Sequence, residues 1–78
     1  MKGKYKMTET QKKLKDNLVK LRKDANATIS ETAEKIGISL SYYSCLENPE
    51  SEKLPSLQML ERIATYYQIT ADKLLEQK

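Results

Sequence analysis

The side chains in this chain that could do chemistry are mostly hydroxyls at positions where helices would begin. Thr28 is followed three residues later by Glu31, the spacing of a capping box in which each side chain accepts from the other residue's backbone N–H. Ser39 can cap a second helix through its hydroxyl alone. A helix N-terminus suits an anion because its first N–H groups are free and its dipole is positive there.

Residue types used in catalysis and metal binding are scarce in the sequence. It has no histidine and one cysteine, so it lacks the ligands of a zinc site and cannot form an intrachain disulfide. It also has no phosphate-binding glycine loop and no evident nucleophile–base pair. We therefore predict a non-enzymatic protein with no cofactor and no metal, and we infer no small-molecule ligand. Cys45 has three open interpretations: a small residue tolerated on a helix face, a contact residue, or a redox-active thiol.

Two short amphipathic helices around a tight turn would position these hydroxyls. Apolar residues at helical spacing give each helix an inner face: Ile29, Ala33 and Ile36 on the first, Tyr43 and Leu46 on the second. Gly37 lies where the first helix must end, since only glycine enters the left-handed region without a β-carbon penalty. The pattern predicts a helix-turn-helix over about residues 28–48.

The same reasoning predicts an all-α chain of five helices with one core. Their expected extents are Thr8 to Asp24, Ile29 to Ile36, Leu40 to Glu47, a helix capped by Ser56 and a short helix capped by Thr70. Residues 48–55 form a polar loop, because Pro49 and Pro55 resist helix continuation. The expected core comprises Leu18, Leu21, Ala33, Ile36, Tyr43, Leu46, Leu60, Ile63 and Ala64. Leu57 and Tyr67 are also expected on the buried face of helix 4, and Leu74 and Leu75 either inside or against a partner.

Positive charge is concentrated at the start of the sequence. Residues 1–26 carry nine Lys and Arg against three acidic residues, a net +6, whereas the remainder carries five against eight, a net −3. We expect a flexible basic arm at residues 1–8 and one domain at residues 9–78. The lysines either bind phosphates or form a solvated tail and the outer face of helix 1. No apolar run approaches the length of a membrane span, so we expect a cytoplasmic, bacterial or phage-encoded protein without a membrane partner.

The run ETAEKIGIS, with YS and LEN after it, LVKLRKD before it and LPSLQMLERIATYYQITADKLLE beyond it, resembles the phage Cro and repressor (Xre-like) family. The resemblance covers roughly Leu14 to Leu75. It implies a compact lambda-repressor-like fold and a regulator that binds double-stranded DNA, namely a repressor of a phage, plasmid or mobile element. Such proteins bind inverted-repeat operators as homodimers, at least on DNA, with half-sites about 34 Å apart.

The resemblance also assigns roles to residues. The base-reading positions are Leu40, Ser41, Tyr42, Ser44 and Cys45, and the phosphate-facing positions are Thr28, Ser39, Asn48, Lys53 and Arg22. Arg22 and Glu47 match an ion pair that fixes the angle of the recognition helix; the alternative is two solvated charges on separate surfaces. Leu40 could contact a thymine methyl and Ser41 could bond several bases. We therefore expect readout through methyl groups, water and DNA shape.

This chain departs from the family pattern at positions that face DNA. Ile29 stands where glutamine is common, and no Lys or Arg lies between Ser39 and Asn48. The loop that follows contains Glu50 and Glu52, whose carboxylates would weaken binding to a phosphate backbone. These features motivate an alternative function: a protein-interaction module, such as an anti-repressor or antitoxin component, that keeps the fold with weak DNA binding.

Overall fold

A computed structural model describes residues 8–76 of the chain. In this part of the chain all regular structure is helical, in five elements: α1 (Glu9–Asp24), α2 (Ile29–Ile36), α3 (Leu40–Glu47), α4 (Leu57–Tyr67) and α5 (Ala71–Leu74). The predicted all-α, five-helix class is confirmed, with α2 and α3 forming the helix-turn-helix. Most of the expected basic arm, residues 1–7, lies outside the described residues.

Each helix begins at a serine or threonine whose hydroxyl accepts a hydrogen bond from the backbone N–H three residues later. These N-cap residues are Thr8, Thr28, Ser39, Ser56 and Thr70. The caps of α1 and α2 are complete capping boxes, since Gln11 and Glu31 accept in return from the cap backbone N–H. One cap contributes about 1 kcal/mol, so all five helix starts are defined locally by the sequence.

A single hydrophobic core draws on every helix. Its buried members are Leu14, Leu18, Ala33, Ile36, Tyr43, Leu46, Leu60, Ile63, Ala64 and Leu74. α3 packs against both α1 and α2, so the helix with the candidate site is braced from two sides. Leu74 is buried within this chain, the first of the two arrangements that the sequence left open. No helix of residues 8–76 has both the length and the apolarity to span a bilayer.

Three expectations for the core need correction. Leu57 was expected on the buried face of α4, but it is 70% exposed. It is the first residue of that helix, and residues 56–58 are all exposed, so the start of α4 extends beyond the elements that cover its later turns. Leu21 and Tyr67 are partly buried and pack against the edge of the core.

Candidate nucleic-acid interface

The turn between α2 and α3 has the geometry that Gly37 was expected to provide. Gly37 adopts φ 89° and ψ 34°, the left-handed region, and the N–H groups of Gly37 and Ile38 both donate to Ala33 O, at 2.9 and 3.0 Å. Ser39 then caps α3 by accepting from Tyr42 N at 3.1 Å. A β-carbon at Gly37 would lie 2.8 Å from Arg62 Nη2, so the guanidinium of Arg62 covers this turn.

The first two turns of α3 present small and apolar side chains to solvent. Leu40 is 53% exposed, and Ser41 and Ser44 are also exposed. Tyr42 and Cys45, the other two predicted base-reading residues, are half-buried, and the Tyr42 ring packs against the core. One face of α3 is therefore accessible to a partner while the opposite face is fixed.

Glu47 anchors the last turn of α3 through a buried network. Its carboxylate accepts from Arg22 Nε at 2.7 Å and from Arg22 Nη2 at 3.1 Å, and the Tyr43 hydroxyl donates to the same group. The side chains of Arg22 and Glu47 are 13% and 6% exposed, so the pair is buried and not two solvated charges. Arg22 Nη1 also donates to Ala27 O at 2.9 Å. Arg22 thereby joins α1 to the start of α2 and to the end of α3.

This network changes the proton affinities of Tyr43 and Arg22. Burial, followed by the hydrogen bond to Glu47, raises the pKa of Tyr43 far above its ordinary value. The hydrogen bond to Glu47 raises the pKa of Arg22. Each of the three guanidinium nitrogens of Arg22 donates inside the protein, which links α1 to α3 and to the start of α2.

The other predicted phosphate-facing residues lie at the ends of α2 and α3. Thr28, Ser39, Asn48 and Lys53 are all exposed. Asn48 Oδ1 accepts from Glu50 N at 2.9 Å, which orders the loop and leaves the amide NH₂ of Asn48 as the group that could donate to phosphate. Glu50 and Glu52 are exposed in the same loop.

The burial of Lys15 was not predicted from the sequence. One interpretation placed all helix 1 lysines on its outer face, and for Lys15 this is wrong: the residue is only 1% exposed. Its Nζ donates to Lys53 O at 2.7 Å, to Cys45 O at 2.8 Å and to Leu46 O at 3.2 Å. Burial lowers its pKa, because the ammonium loses contact with water. A signal was present, since Lys15 lies three residues before Leu18 and therefore on the inner face of α1.

Comparison with known proteins agrees with this geometry. A family model described as a helix-turn-helix domain matches residues 16–78. The chain is 39% identical over 62 residues to the cryptic phage CTXphi transcriptional repressor RstR of Vibrio cholerae serotype O1, covering 80% of this chain and 54% of that protein. It is 35% identical over 57 residues to the HTH-type transcriptional regulator SinR of Bacillus subtilis, covering 73% and 50%.

The chain belongs to the Cro/repressor-type helix-turn-helix family, a family of transcription regulators and not of enzymes. It spans about half the length of the curated relatives that it matches. No solved structure shows significant similarity to it.

Proposed function

We propose that this protein is a sequence-specific DNA-binding transcriptional repressor of a phage, plasmid or mobile element, with α3 lying in the major groove of its operator. The observation that carries this proposal is the division of α3 into two faces. Leu40, Ser41 and Ser44 are exposed, whereas Tyr43 and Leu46 are fully buried. A helix held in this way offers a fixed set of side chains to base edges. Similarity to RstR and SinR supports the same function.

The exposed face of α3 favours readout without charge. Leu40 can make apolar contact with a thymine methyl, and Ser41 can donate to or accept from several bases. Since α3 contains no lysine or arginine, bidentate contacts to guanine are absent from this scheme. Specificity therefore depends on methyl groups, bridging water and the shape of the DNA.

Phosphate contacts would come from the groups around α3. The N-termini of α2 and α3, capped by Thr28 and Ser39, offer backbone N–H groups and a positive dipole end. Asn48 and Lys53 follow α3 and can contact the same strand. A homodimer on an inverted repeat would place two copies of α3 in successive major grooves, about 34 Å apart.

A selection of bound sequences from a random DNA pool, followed by affinity measurements at several salt concentrations, tests the proposal. We expect one enriched inverted repeat, and a binding constant whose logarithm falls linearly with the logarithm of salt concentration. Leu40→Ala or Ser41→Ala should reduce discrimination between sites by roughly 1–3 kcal/mol and leave the salt slope unchanged. Leu57→Ala is the control, because it removes another exposed leucine, 70% exposed against 53% for Leu40, from α4. Unselective recovery of the pool would contradict the proposal.

The second candidate is a protein-interaction module with the same fold. It is favoured by one observation: Glu50 and Glu52 are exposed directly after a helix that carries no basic residue. Such a module should bind DNA weakly at physiological salt and show little salt dependence. The affinity series therefore distinguishes the two functions.

A further inference from the structure

We propose that Lys15 is a positioning residue for DNA binding: it fixes the end of α3 and the backbone of Lys53, so that the Lys53 side chain meets a phosphate. This inference rests on the proposed function and adds to it a residue that cannot itself touch DNA. Lys15 is 1% exposed, whereas Lys53 is exposed.

The ammonium group of Lys15 bridges three elements. It extends from α1 to two carbonyl oxygens in the last turn of α3, those of Cys45 and Leu46, and to the carbonyl oxygen of Lys53 in the following loop. An ammonium has three N–H donors, and three acceptors lie between 2.7 and 3.2 Å from it. The buried charge is compensated by carbonyl dipoles and hydrogen bonds.

Lys15 also supplies the positive charge that the C-terminal end of α3 lacks. The last carbonyls of a helix have no partner within the helix, and the negative end of the helix dipole favours a cation. α3 has no basic residue in its last turn. Lys15 provides that cation from another helix, which stabilises the end of α3 without placing a charge on its exposed face.

The backbone of Lys53 is held on both sides. Its carbonyl oxygen accepts from Lys15, and its N–H donates to Ser51 Oγ at 3.1 Å. Lys53 is also the one basic residue in the sequence of loop 48–55, next to two acidic residues. A cation fixed beside α3 in this way can offset the repulsion between those carboxylates and DNA, but only if its position is maintained.

A double-mutant cycle on DNA affinity tests this role. Lys15→Met keeps a long apolar side chain and removes the ammonium, and Lys53→Gln removes the proposed phosphate contact. We expect Lys53→Gln to weaken binding and to lower the salt slope by about 0.9, the value for one phosphate contact. Lys15→Met should also flatten the slope, although it removes no exposed charge. In the Lys15→Met background, Lys53→Gln should have a several-fold smaller effect.

Lys12→Met is the matched control, since Lys12 is an exposed lysine on the same helix. In that background the effect of Lys53→Gln should keep its full size. If the unaltered protein binds DNA but the effects of Lys15→Met and Lys53→Gln on the free energy of binding are additive, the inference is overturned. Failure of the unaltered protein to bind would overturn the proposed function and this inference together.

A second measurement uses the unaltered protein, so it holds even if Lys15→Met fails to fold. Amine acylation followed by mass spectrometry reports the accessibility of each lysine. Lys12 and Lys53 should react readily while Lys15 is protected, and bound DNA should protect Lys53 in addition. Equal reactivity of Lys15 and Lys12, or unchanged reactivity of Lys53 on DNA, would contradict the inference.

Discussion

The buried carboxylate of Glu47 holds the last turn of α3 against α1. It is 6% exposed and accepts hydrogen bonds from two nitrogens of Arg22 and from the Tyr43 hydroxyl. A buried charge of this kind is tolerated because its partners replace the hydrogen bonds that water would supply. Removing one partner of the ion pair should therefore cost more stability than removing both.

Arg22→Met should destabilise the fold by about 3–5 kcal/mol, because it leaves a buried carboxylate without its charged partner. The double variant Arg22→Met, Glu47→Leu should lose less stability than Arg22→Met alone, since it removes both charges. Urea unfolding followed by circular dichroism measures both free energies. A double variant less stable than either single variant would contradict this account.

Tyr43 should make the fold sensitive to alkaline pH. Its pKa is raised in the folded state above the ordinary tyrosine value of 10.0, mainly by burial and then by the hydrogen bond to Glu47. A group whose pKa is raised in the folded state contributes stability that is fully present below its unfolded-state pKa. That contribution is lost as pH rises from the unfolded-state pKa through the folded-state pKa. Tyr67, whose pKa is raised by burial, acts in the same direction. Lys15 has the opposite effect. Its pKa is lowered in the folded state, so the folded protein releases this proton at a lower pH than the unfolded chain, and stability rises as pH approaches the ordinary lysine value of 10.5.

A comparison with Tyr43→Phe isolates the tyrosine contribution. We expect the difference in unfolding free energy between the unaltered protein and this variant to be constant below about pH 10 and to shrink above it. A difference that stays constant for Tyr43→Phe across pH 10 would refute the assignment.

The turn between α2 and α3 depends on one left-handed residue, Gly37. Gly37→Ala should cost about 1–2 kcal/mol, because a β-carbon is unfavourable at φ 89°. The added carbon would also approach Arg62 Nη2, but the tip of an arginine can move. The penalty, measured by urea unfolding, should therefore persist in an Arg62→Ala background. Its disappearance there would assign the cost to contact with Arg62.

The helices could be predicted because residues close in sequence determine where each of them begins. Each of the five helices starts at a serine or threonine whose hydroxyl accepts a hydrogen bond from the backbone N–H three residues later. The end of α2 follows from Gly37. The pairing of Arg22 with Glu47 was accessible through family resemblance. Leu57 was misassigned because helical spacing shows which residues share a face, but not where a neighbouring helix stops covering it.

The hydrogen bonds of Lys15 were not predictable for a related reason. Its three acceptors are backbone carbonyls 30 to 38 residues away, and a carbonyl has no side-chain identity that a sequence could reveal. Its position among inner-face residues of α1 indicated burial only. The partners follow from the packing of α1 against α3, which is a tertiary property.

The electrostatic part of the affinity for DNA should come mainly from residues outside α3. Residues 1–26 have a net charge of +6, and Lys2, Lys4 and Lys6 lie in the segment before the described residues. Replacing these three with glutamine should weaken binding to specific and non-specific DNA alike and lower the salt slope, since each lost phosphate contact removes about 0.9. Fluorescence anisotropy at several salt concentrations measures both. An unchanged salt slope would indicate that these lysines do not contact DNA phosphates.

The division of α3 into a fixed face and an exposed face has a consequence for how such proteins diversify. Leu40, Ser41 and Ser44 contribute little to the core, so exchanging them should shift unfolding free energy by no more than about 0.5 kcal/mol each. Libraries randomised at these three positions should therefore yield many folded variants with different preferred DNA sequences, detectable by sequencing the DNA that each retains. A related chain with the same core could therefore acquire a different DNA preference through substitutions confined to this exposed face.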